Sequence, residues 1–350
     1  MSDELKTGIQ ESRAGTAGGD SASRAATRRS SLVTHHSAPV SVVVPSHNHA
    51  PFVERTLRSI FRQTRAPREL LVIDDGSRDG SAGVIERALR DCPVPCELVA
   101  RENRGLCATL NEGLARTSGE YFAYLGSDDV WLPDFLLARV ALLGARPRAA
   151  LAYGNAYSID AQDRIIDSTA DWARYVDGDA RRMLMGTLAP LSPTVLYRRA
   201  ALEGRGWNES ARLEDYELYL RLAAGGEFAF DPRVLSAWRV HGRNASGDLE
   251  MMLSERLAAQ AAAGPGLGFS EAELRRFAAR ARFRSAEEFI RRGRKRRAAG
   301  LVLGGLGGVP SPAAAARTLL KFLTPHALIE RRRRRGRERA FARYGRLPGA

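Results

Sequence analysis

The run Tyr121-Phe122-Ala123-Tyr124-Leu125-Gly126-Ser127-Asp128-Asp129 is apolar for the length of one strand and ends in two carboxylates. A carboxylate at a core edge is costly to desolvate unless something compensates it. A divalent cation would do so, and α/β sheets place their ligands at the carboxyl ends of strands. A second pair, Asp74-Asp75, follows the apolar run Leu70-Leu71-Val72-Ile73 and precedes Gly76-Ser77. Alone, Asp-Asp-Gly-Ser is an Asx turn that caps a helix. Beside another strand-end Asp pair, it reads as part of the same ligand site. A third polar cluster, Pro45-Ser46-His47-Asn48, follows the β-branched run Val40-Ser41-Val42-Val43-Val44. Glu214-Asp215 opens an amphipathic segment, where an acidic first turn either stabilises a helix or supplies a base.

These residue types exclude some chemistries. No G-x-G-x-x-G follows the first strand and no G-x-x-x-x-G-K-[ST] occurs, so dinucleotide hydride transfer and P-loop phosphoryl transfer lack their phosphate-binding loops. Carboxylates that face an anionic nucleoside diphosphate need a metal bridge, and they can also accept hydrogen bonds from a base N–H or from ribose hydroxyls. On this reading Asp75 touches base or ribose and Asp129 holds the metal. Asp215 takes the proton from an acceptor hydroxyl that attacks an activated sugar carbon. Attack opposite the leaving group inverts the anomeric centre, while the metal stabilises the departing nucleoside diphosphate.

The elements that must position these groups alternate. Strands are expected at 40–44, 70–73, 97–100 and 121–125, with helices at 51–63, 81–90 and 106–116 between them. The helices carry apolar residues at helical spacing, as in Phe52, Val53, Leu57, Ile60 and Phe61. Such alternation implies right-handed βαβ units and a parallel sheet, so the clusters at 45–48, 74–77 and 126–129 should converge along one sheet edge. Beyond it we expect irregular strands or a hairpin over 150–175, a strand at 192–197, a helix at 213–224 and a strand at 236–240. From Leu249 onward the chain is rich in Ala, Leu and Arg and reads as helical, with a Gly-rich break at 300–309 and a short amphipathic helix over 313–330, interrupted at Pro325.

The formal charge of +14 over 350 residues is localised. Residues 281–297 hold seven Arg and one Lys against two Glu, and residues 331–350 hold nine Arg against one Glu. The rest of the chain is balanced. Cys92, Cys96 and Cys107 show no metal spacing and read as free thiols of a reducing compartment. Residues 1–38 have the makeup of a disordered leader and carry no apolar signal core, and no run of apolar residues is long enough for a membrane span. A cytoplasmic protein is expected, peripheral at the inner face of the plasma membrane if the basic region docks there.

The same stretches resemble a known family. Val40 through Asn48, Val72-Ile73-Asp74-Asp75-Gly76-Ser77, Glu102-Asn103-Arg104-Gly105-Leu106 and Gly119 through Pro133 are similar, in order, to motifs of the family 2 glycosyltransferases with the GT-A fold. Glu214 through Arg221 and Arg239 through Ser246 look like the later motifs. The resemblance covers about 39–247. It implies a Rossmann-like, mostly parallel sheet flanked by helices, a catalytic domain over 39–248 and a helical, Arg-rich extension over 249–350. It also implies a metal-dependent hexosyltransferase that uses Mg²⁺ or Mn²⁺ and a nucleotide-sugar donor, a UDP-sugar being expected, in surface polysaccharide or glycolipid assembly. Lipid-linked acceptors are common in the family. A non-catalytic nucleotide-sugar-binding partner subunit is the alternative.

Carried over, Pro45, His47, Asn48, Asp74, Asp75, Arg104 and Asp128 line the nucleotide sugar, Asp129 holds the metal, His241 contacts metal or diphosphate, and Asp215 is the base. Three positions depart from the family's habit. His47 stands where Tyr is commoner, Gly126 where the DXD signature often has its first Asp, and Leu110 where many members carry Arg. For the basic region an anionic membrane surface is the expected partner, with a solvated charged tail as the alternative. Nucleic acid is not expected, because no interleaved aromatic platform accompanies the arginines.

Overall fold

The structure, a computed structural model, describes residues 38–348 except 243, 245, 246 and 310. The expected leader thus lies, apart from Ala38, outside the described residues. The chain opens with β1 (Val40–Ser46), α1 (Val53–Phe61), β2 (Glu69–Asp75), α2 (Ser81–Leu89), β3 (Cys96–Arg101), α3 (Leu106–Arg116) and β4 (Tyr121–Tyr124). All four strands are mutually parallel, in the spatial order β3-β2-β1-β4. The crossover helices cover both faces, so each central strand is buried on both sides and alternates between two cores. Val43, Leu71, Ile73 and Phe122 enter one core, with Leu110, Tyr197 and Leu220. Val42, Val44, Val72 and Ala123 enter the other, with Leu57, Ile85 and Leu136. Gly113 lets α3 lie close against β1, since a Cβ there would sit 2.7 Å from Val43 Cγ1.

The sheet continues through β5 (Val130–Trp131), α4 (Phe135–Ala145), β6 (Ala149–Ile159), β7 (Ile165–Ser168), α5 (Arg181–Met185), β8 (Leu196–Arg198), α6 (Arg199–Leu202), α7 (Glu214–Ala223) and β9 (Glu227–Arg239). Beyond β4 the order is β8-β6-β9-β5, with β7 paired antiparallel to β6 as the expected hairpin. Two expectations shift. The strand expected at 192–197 is a 3₁₀ turn over Ser192–Thr194 followed by the shorter β8, because Pro193 has no donor and Thr194 Oγ1 donates to the Leu191 carbonyl at 2.7 Å. The strand expected at 236–240 begins nine residues earlier, at Glu227. Its centre, Asp231-Pro232-Arg233, carries turn chemistry, but β6 pairs along its whole length by shifting register near Asn155.

Five helices follow: α8 (Leu249–Ala263), α9 (Glu271–Arg291), α10 (Lys295–Leu303), α11 (Pro312–Leu323) and α12 (His326–Tyr344). Ser270 and Glu273 form a capping box at the start of α9. Leu253, Phe289, Ile290, Leu301 and Ile329 make a separate small core among these helices. α12 runs straight through the arginine block, and the chain then returns to the sheet: the Ile165 N–H donates to the Gly345 carbonyl and the Leu347 N–H to the Asp163 carbonyl, both at 3.0 Å. Among the described residues no helix is long and apolar enough to cross a membrane.

Candidate functional site

Parallel pairing of β1 with β2 and β4 brings three strand ends to one edge, and their loops are tied together there. His47 Nδ1 lies 2.8 Å from the Asp75 carbonyl, and Asn103 Nδ2 donates to that carbonyl at 2.9 Å. Asn48, at φ 55°, accepts the Arg78 N–H on its Oδ1 at 2.9 Å, and its own N–H donates to Ser77 Oγ at 2.8 Å. Asn tolerates this left-handed backbone better than most residues. Asp74 does form the Asx turn, its Oδ1 accepting the Ser77 N–H at 2.8 Å, while its Oδ2 is buried with no partner among the described residues.

Asp75 is committed to its neighbours. One oxygen pairs with Arg101 Nη1 and accepts the Arg104 N–H at 2.8 Å; the other accepts the Gly105 N–H at 2.8 Å. Asp75 therefore shapes the 101–105 loop whatever else it contacts. The Arg104 side chain is 61% exposed and touches that network only at its margin, 3.8 Å from the Glu112 carboxylate that Arg101 also pairs with. Pro45 is buried within β1.

The metal-ligating geometry centres on Asp128. His49, Asp128 and His241 each offer a ligand atom, and these atoms lie within 4.8 Å of one another. His241 Nε2 is 2.9 Å from Asp128 Oδ2, and His49 Nδ1 is 3.8 Å from Asp128 Oδ1 and 2.8 Å from Ser127 Oγ. Burial lowers the pKa of His49, which favours the neutral imidazole a metal requires. Two imidazoles and one carboxylate form a donor set that suits a transition ion such as Mn²⁺ better than Mg²⁺, which prefers oxygen throughout.

Asp129, expected to hold the metal, is absent from this cluster and faces the protein. Its Oδ1 accepts the backbone N–H of Arg239 at 2.8 Å, and its own carbonyl accepts Thr56 Oγ1 at 2.8 Å. Burial and the neighbouring Asp128 charge raise its pKa well above the carboxylate range. Gly126 sits against both carboxylates, where a Cβ would be 3.1 Å from Asp128 Oδ1 and 3.2 Å from Asp129 Oδ2. The missing first Asp thus leaves room that a side chain would have to take from the other two.

Arg239 fixes this turn from below. Its Nε donates to the Asp128 carbonyl at 2.8 Å, its Nη1 to the Asp160 carbonyl at 2.7 Å, and its Nη2 pairs with Asp163 Oδ1 at 2.6 Å. The guanidinium lies 4.9 Å from the Phe52 ring centre, and Phe52 stacks on His241 with centroids 5.1 Å apart. Asp163 also pairs with Arg55 at 3.1 Å, and Arg55 Nη2 donates to the Pro348 carbonyl at 3.0 Å.

Asp215 stands in the first turn of α7, half-buried. Burial pushes its pKa up to about 6, against the pull of the Tyr216 N–H bond at 2.6 Å and the Arg256 charge. Burial and the Asp215 charge push Glu214 up to about 8. The two carboxyls titrate as a coupled pair, with Glu214 holding its proton to higher pH than Asp215. The charges of both residues reach Tyr124 and Tyr197, whose rings stack at 6.5 Å. Tyr124 ends β4, two residues before Gly126, so the strand that feeds the Asp128 turn also carries a tyrosine that senses the α7 carboxylates.

Of the residues that could hold a metal, the sequence pointed to Asp128 and His241 but not to His49; Arg101, Phe52, Asp163 and Arg239, which support the strand-end loops, were not singled out for that role. The signal for His49 was visible in His47-Asn48-His49, where a second imidazole follows the strand end by three residues. Arg239 opened a stretch that resembled a family motif, but its role as an anchor had no signal, since an arginine at a strand end is usually solvated.

The strand order and the ligand edge define a GT-A fold, and solved structures agree. A mannosyltransferase from Pyrobaculum calidifontis, in complex with GDP-Man and Mn²⁺, aligns with a TM-score of 0.57 at 20% identity over 87% of this chain and 86% of that one. TarS 1–349 of S. aureus, in complex with UDP-GlcNAc, aligns at 0.56 and 16% identity over 85% of this chain and 92% of that one. Residues 41–205 match the family described as Glycosyl transferase family 2. The succinoglycan biosynthesis protein ExoU of Rhizobium meliloti is 33% identical over 205 residues, covering 53% of this chain and 57% of that protein. The chain spans about half the length of the curated relatives it matches.

Proposed function

We propose that the chain is an inverting, metal-dependent glycosyltransferase that moves a hexose from a nucleotide sugar to an acceptor hydroxyl in surface polysaccharide or glycolipid assembly. The observation that carries this reading is the His49–Asp128–His241 cluster on the carboxyl edge of β1, β2 and β4, with an ionisable Asp215 whose charge reaches Tyr124 on the strand that feeds the Asp128 turn. Pro45, His47, Asn48, Asp74, Asp75 and Arg104 wall the nucleotide, and a UDP-sugar is the first donor to test. In this reading Asp128, His241 and His49 hold the ion, and Asp129 positions the turn beneath them. The ion, when bound, offsets the diphosphate charge and stabilises the leaving nucleoside diphosphate.

The chain's own residues do the rest. Asp215, the first of the pair to ionise, accepts the proton of the attacking hydroxyl, and Glu214, which holds its proton to higher pH, adds no second charge to repel it. Attack from the α7 side, opposite a diphosphate held at the Asp128 turn, inverts the anomeric carbon. The similarity to ExoU, named for succinoglycan biosynthesis, supports a place in polysaccharide assembly.

Two measurements test this. Nucleotide affinity should fall at least about tenfold in EDTA relative to Mn²⁺, as expected when a cation bridges carboxylate and diphosphate. Asp215→Asn should reduce transfer by about a thousandfold or more and leave nucleotide affinity within about twofold, as loss of a general base predicts. Equal affinity with and without EDTA refutes the bridging ion; full turnover in Asp215→Asn refutes the base. A wild-type chain that binds nucleotide sugar without turnover of any donor would instead be the non-catalytic partner.

A further inference from the structure

The C-terminal helices carry an apolar and cationic surface that the donor site does not use. The structure describes ten exposed large apolar side chains, and six of them lie within residues 303–328: Leu303, Leu306, Leu319, Leu320, Leu323 and Leu328. Leu323, at the end of α11, is 81% exposed. Isolated exposed leucines are ordinary, but such a concentration in one short segment marks an interaction surface. The arginines follow at once. α12 starts at His326, so Arg331 stands about one helical turn beyond Leu328.

Seven arginines occupy residues 331–339, all exposed, and among the described residues the only ion pair they make is Arg334 with Glu338 at 3.5 Å. Charges of one sign gathered on a helix without partners repel one another and gain from an anionic counter-surface. The two features are held together by tertiary contacts. Lys295 Nζ donates to the Phe322 and Thr324 carbonyls at 2.6 and 2.7 Å, and Lys321 pairs with Glu287 at 2.5 Å, fixing the end of α11 to α9 and α10. His326 Nε2, at the start of α12, lies 3.2 Å from the Arg291 carbonyl of α9. The exposed α11 leucines and the arginine helix are therefore held on either side of the Thr324–Pro325 corner, and both are anchored to α9 and α10.

We infer that this corner docks on an anionic lipid bilayer, the α11 leucines entering the headgroup–acyl boundary and the α12 arginines engaging phosphate headgroups. The combination decides the partner. A nucleic-acid surface would be served by the arginines but would leave the leucines in water, and an apolar protein groove would leave the arginines unpaired. An acidic membrane interface offers both media side by side, an acyl boundary for the leucines and phosphate headgroups for the arginines. The inference stands on the C-terminal helices alone and does not depend on the reading of the donor site.

The test uses the full-length chain and sucrose-loaded vesicles of phosphatidylcholine with or without about one third phosphatidylglycerol, a composition that sets the negative surface potential. Partitioning should require the anionic lipid and weaken steeply when salt is raised, as screening demands. Replacing Arg331–Arg335 by Gln should lower the partition coefficient about a hundredfold or more, at a few-fold per arginine. Leu320→Glu with Leu323→Glu should lower it about tenfold or more, because the apolar contribution is lost. All these side chains are exposed, and an unchanged thermal midpoint verifies that the variants fold. Binding to neutral vesicles as strong as to anionic ones, or a leucine variant that partitions like the wild type, overturns the inference. So does a 30-base-pair DNA duplex that competes the chain off the vesicles at equal phosphate concentration.

Discussion

Replacement of Arg239 by Met is the sharpest probe of how the metal-ligating turn is held. Arg239 is almost fully buried, and its guanidinium serves the Asp128 carbonyl, the Asp160 carbonyl and the Asp163 carboxylate. Methionine keeps much of the volume and the contact with Phe52 but strands two buried carbonyls and removes one of the two cationic partners of Asp163. Breaking a buried pair from one side costs about 3–5 kcal/mol. Because Arg55 still pairs with Asp163, the lower end applies, about 3 kcal/mol. For a chain of this size that is a fall in thermal midpoint of roughly 4 °C.

Stability alone would not separate an anchor from an ordinary buried residue, so Mn²⁺ affinity is the decisive readout. Loss of an outer partner of a metal ligand typically weakens binding 10–100-fold, an effect of about 1.4–2.7 kcal/mol. Arg139→Met is the matched control. Arg139 is equally buried and donates to Asp231 at 2.8 Å and to the Thr194 carbonyl at 3.1 Å, with no contact to the Asp128 turn. Calorimetric titration of Mn²⁺ with UDP present should show weakened binding in Arg239→Met and wild-type binding in Arg139→Met, though both melt early. If Arg239→Met melts early and still binds Mn²⁺ within twofold of wild type, the anchoring argument is wrong.

Two further outcomes concern the α7 carboxylates. kcat/KM for transfer should fall about tenfold per pH unit below about 6, since Asp215 must be ionised to accept a proton, and a profile flat down to pH 5 would remove it as the base. The folded chain holds a proton on Glu214 up to about pH 8, whereas the unfolded chain releases it near the ordinary Glu value. Folding therefore loses stability as pH rises through that window, and Glu214→Gln should melt higher than wild type at pH 8.5 but not at pH 4.5. Equal midpoints of the two proteins at pH 8.5 would show that Glu214 is not held protonated.

Much of the fold was legible because periodicity is local. Val40 through Val44 and Leu70 through Ile73 can only be buried strands, and the helices between them carry an apolar stripe, so the parallel sheet follows from short-range pattern and connection rules. The regions that escaped have patterns set by contacts distant in sequence. β9 contains Asp231-Pro232-Arg233, which reads as a turn, yet Asp231 is drawn inward by Arg139, 92 residues away in the chain. α4 is apolar nearly all round, because it is buried against β6 and β9, and therefore shows no amphipathic stripe to read.

The sequence by itself determined which residue types meet at the ligand edge. Strand direction is fixed by the βαβ rule, and a residue at a strand end is carried to that edge whatever its neighbours do. It could not determine which atom of each residue faces the ligand. Asp128 and Asp129 are adjacent and chemically alike, but consecutive residues point to different sides, and only the arrival of β9 decides between them. Its Arg239 N–H takes Asp129 into the protein, and His241, two residues further on, meets Asp128. His49 joins them because α1 begins beside the same turn. These are contacts across about 80 to 110 positions of chain, set by packing of the whole sheet.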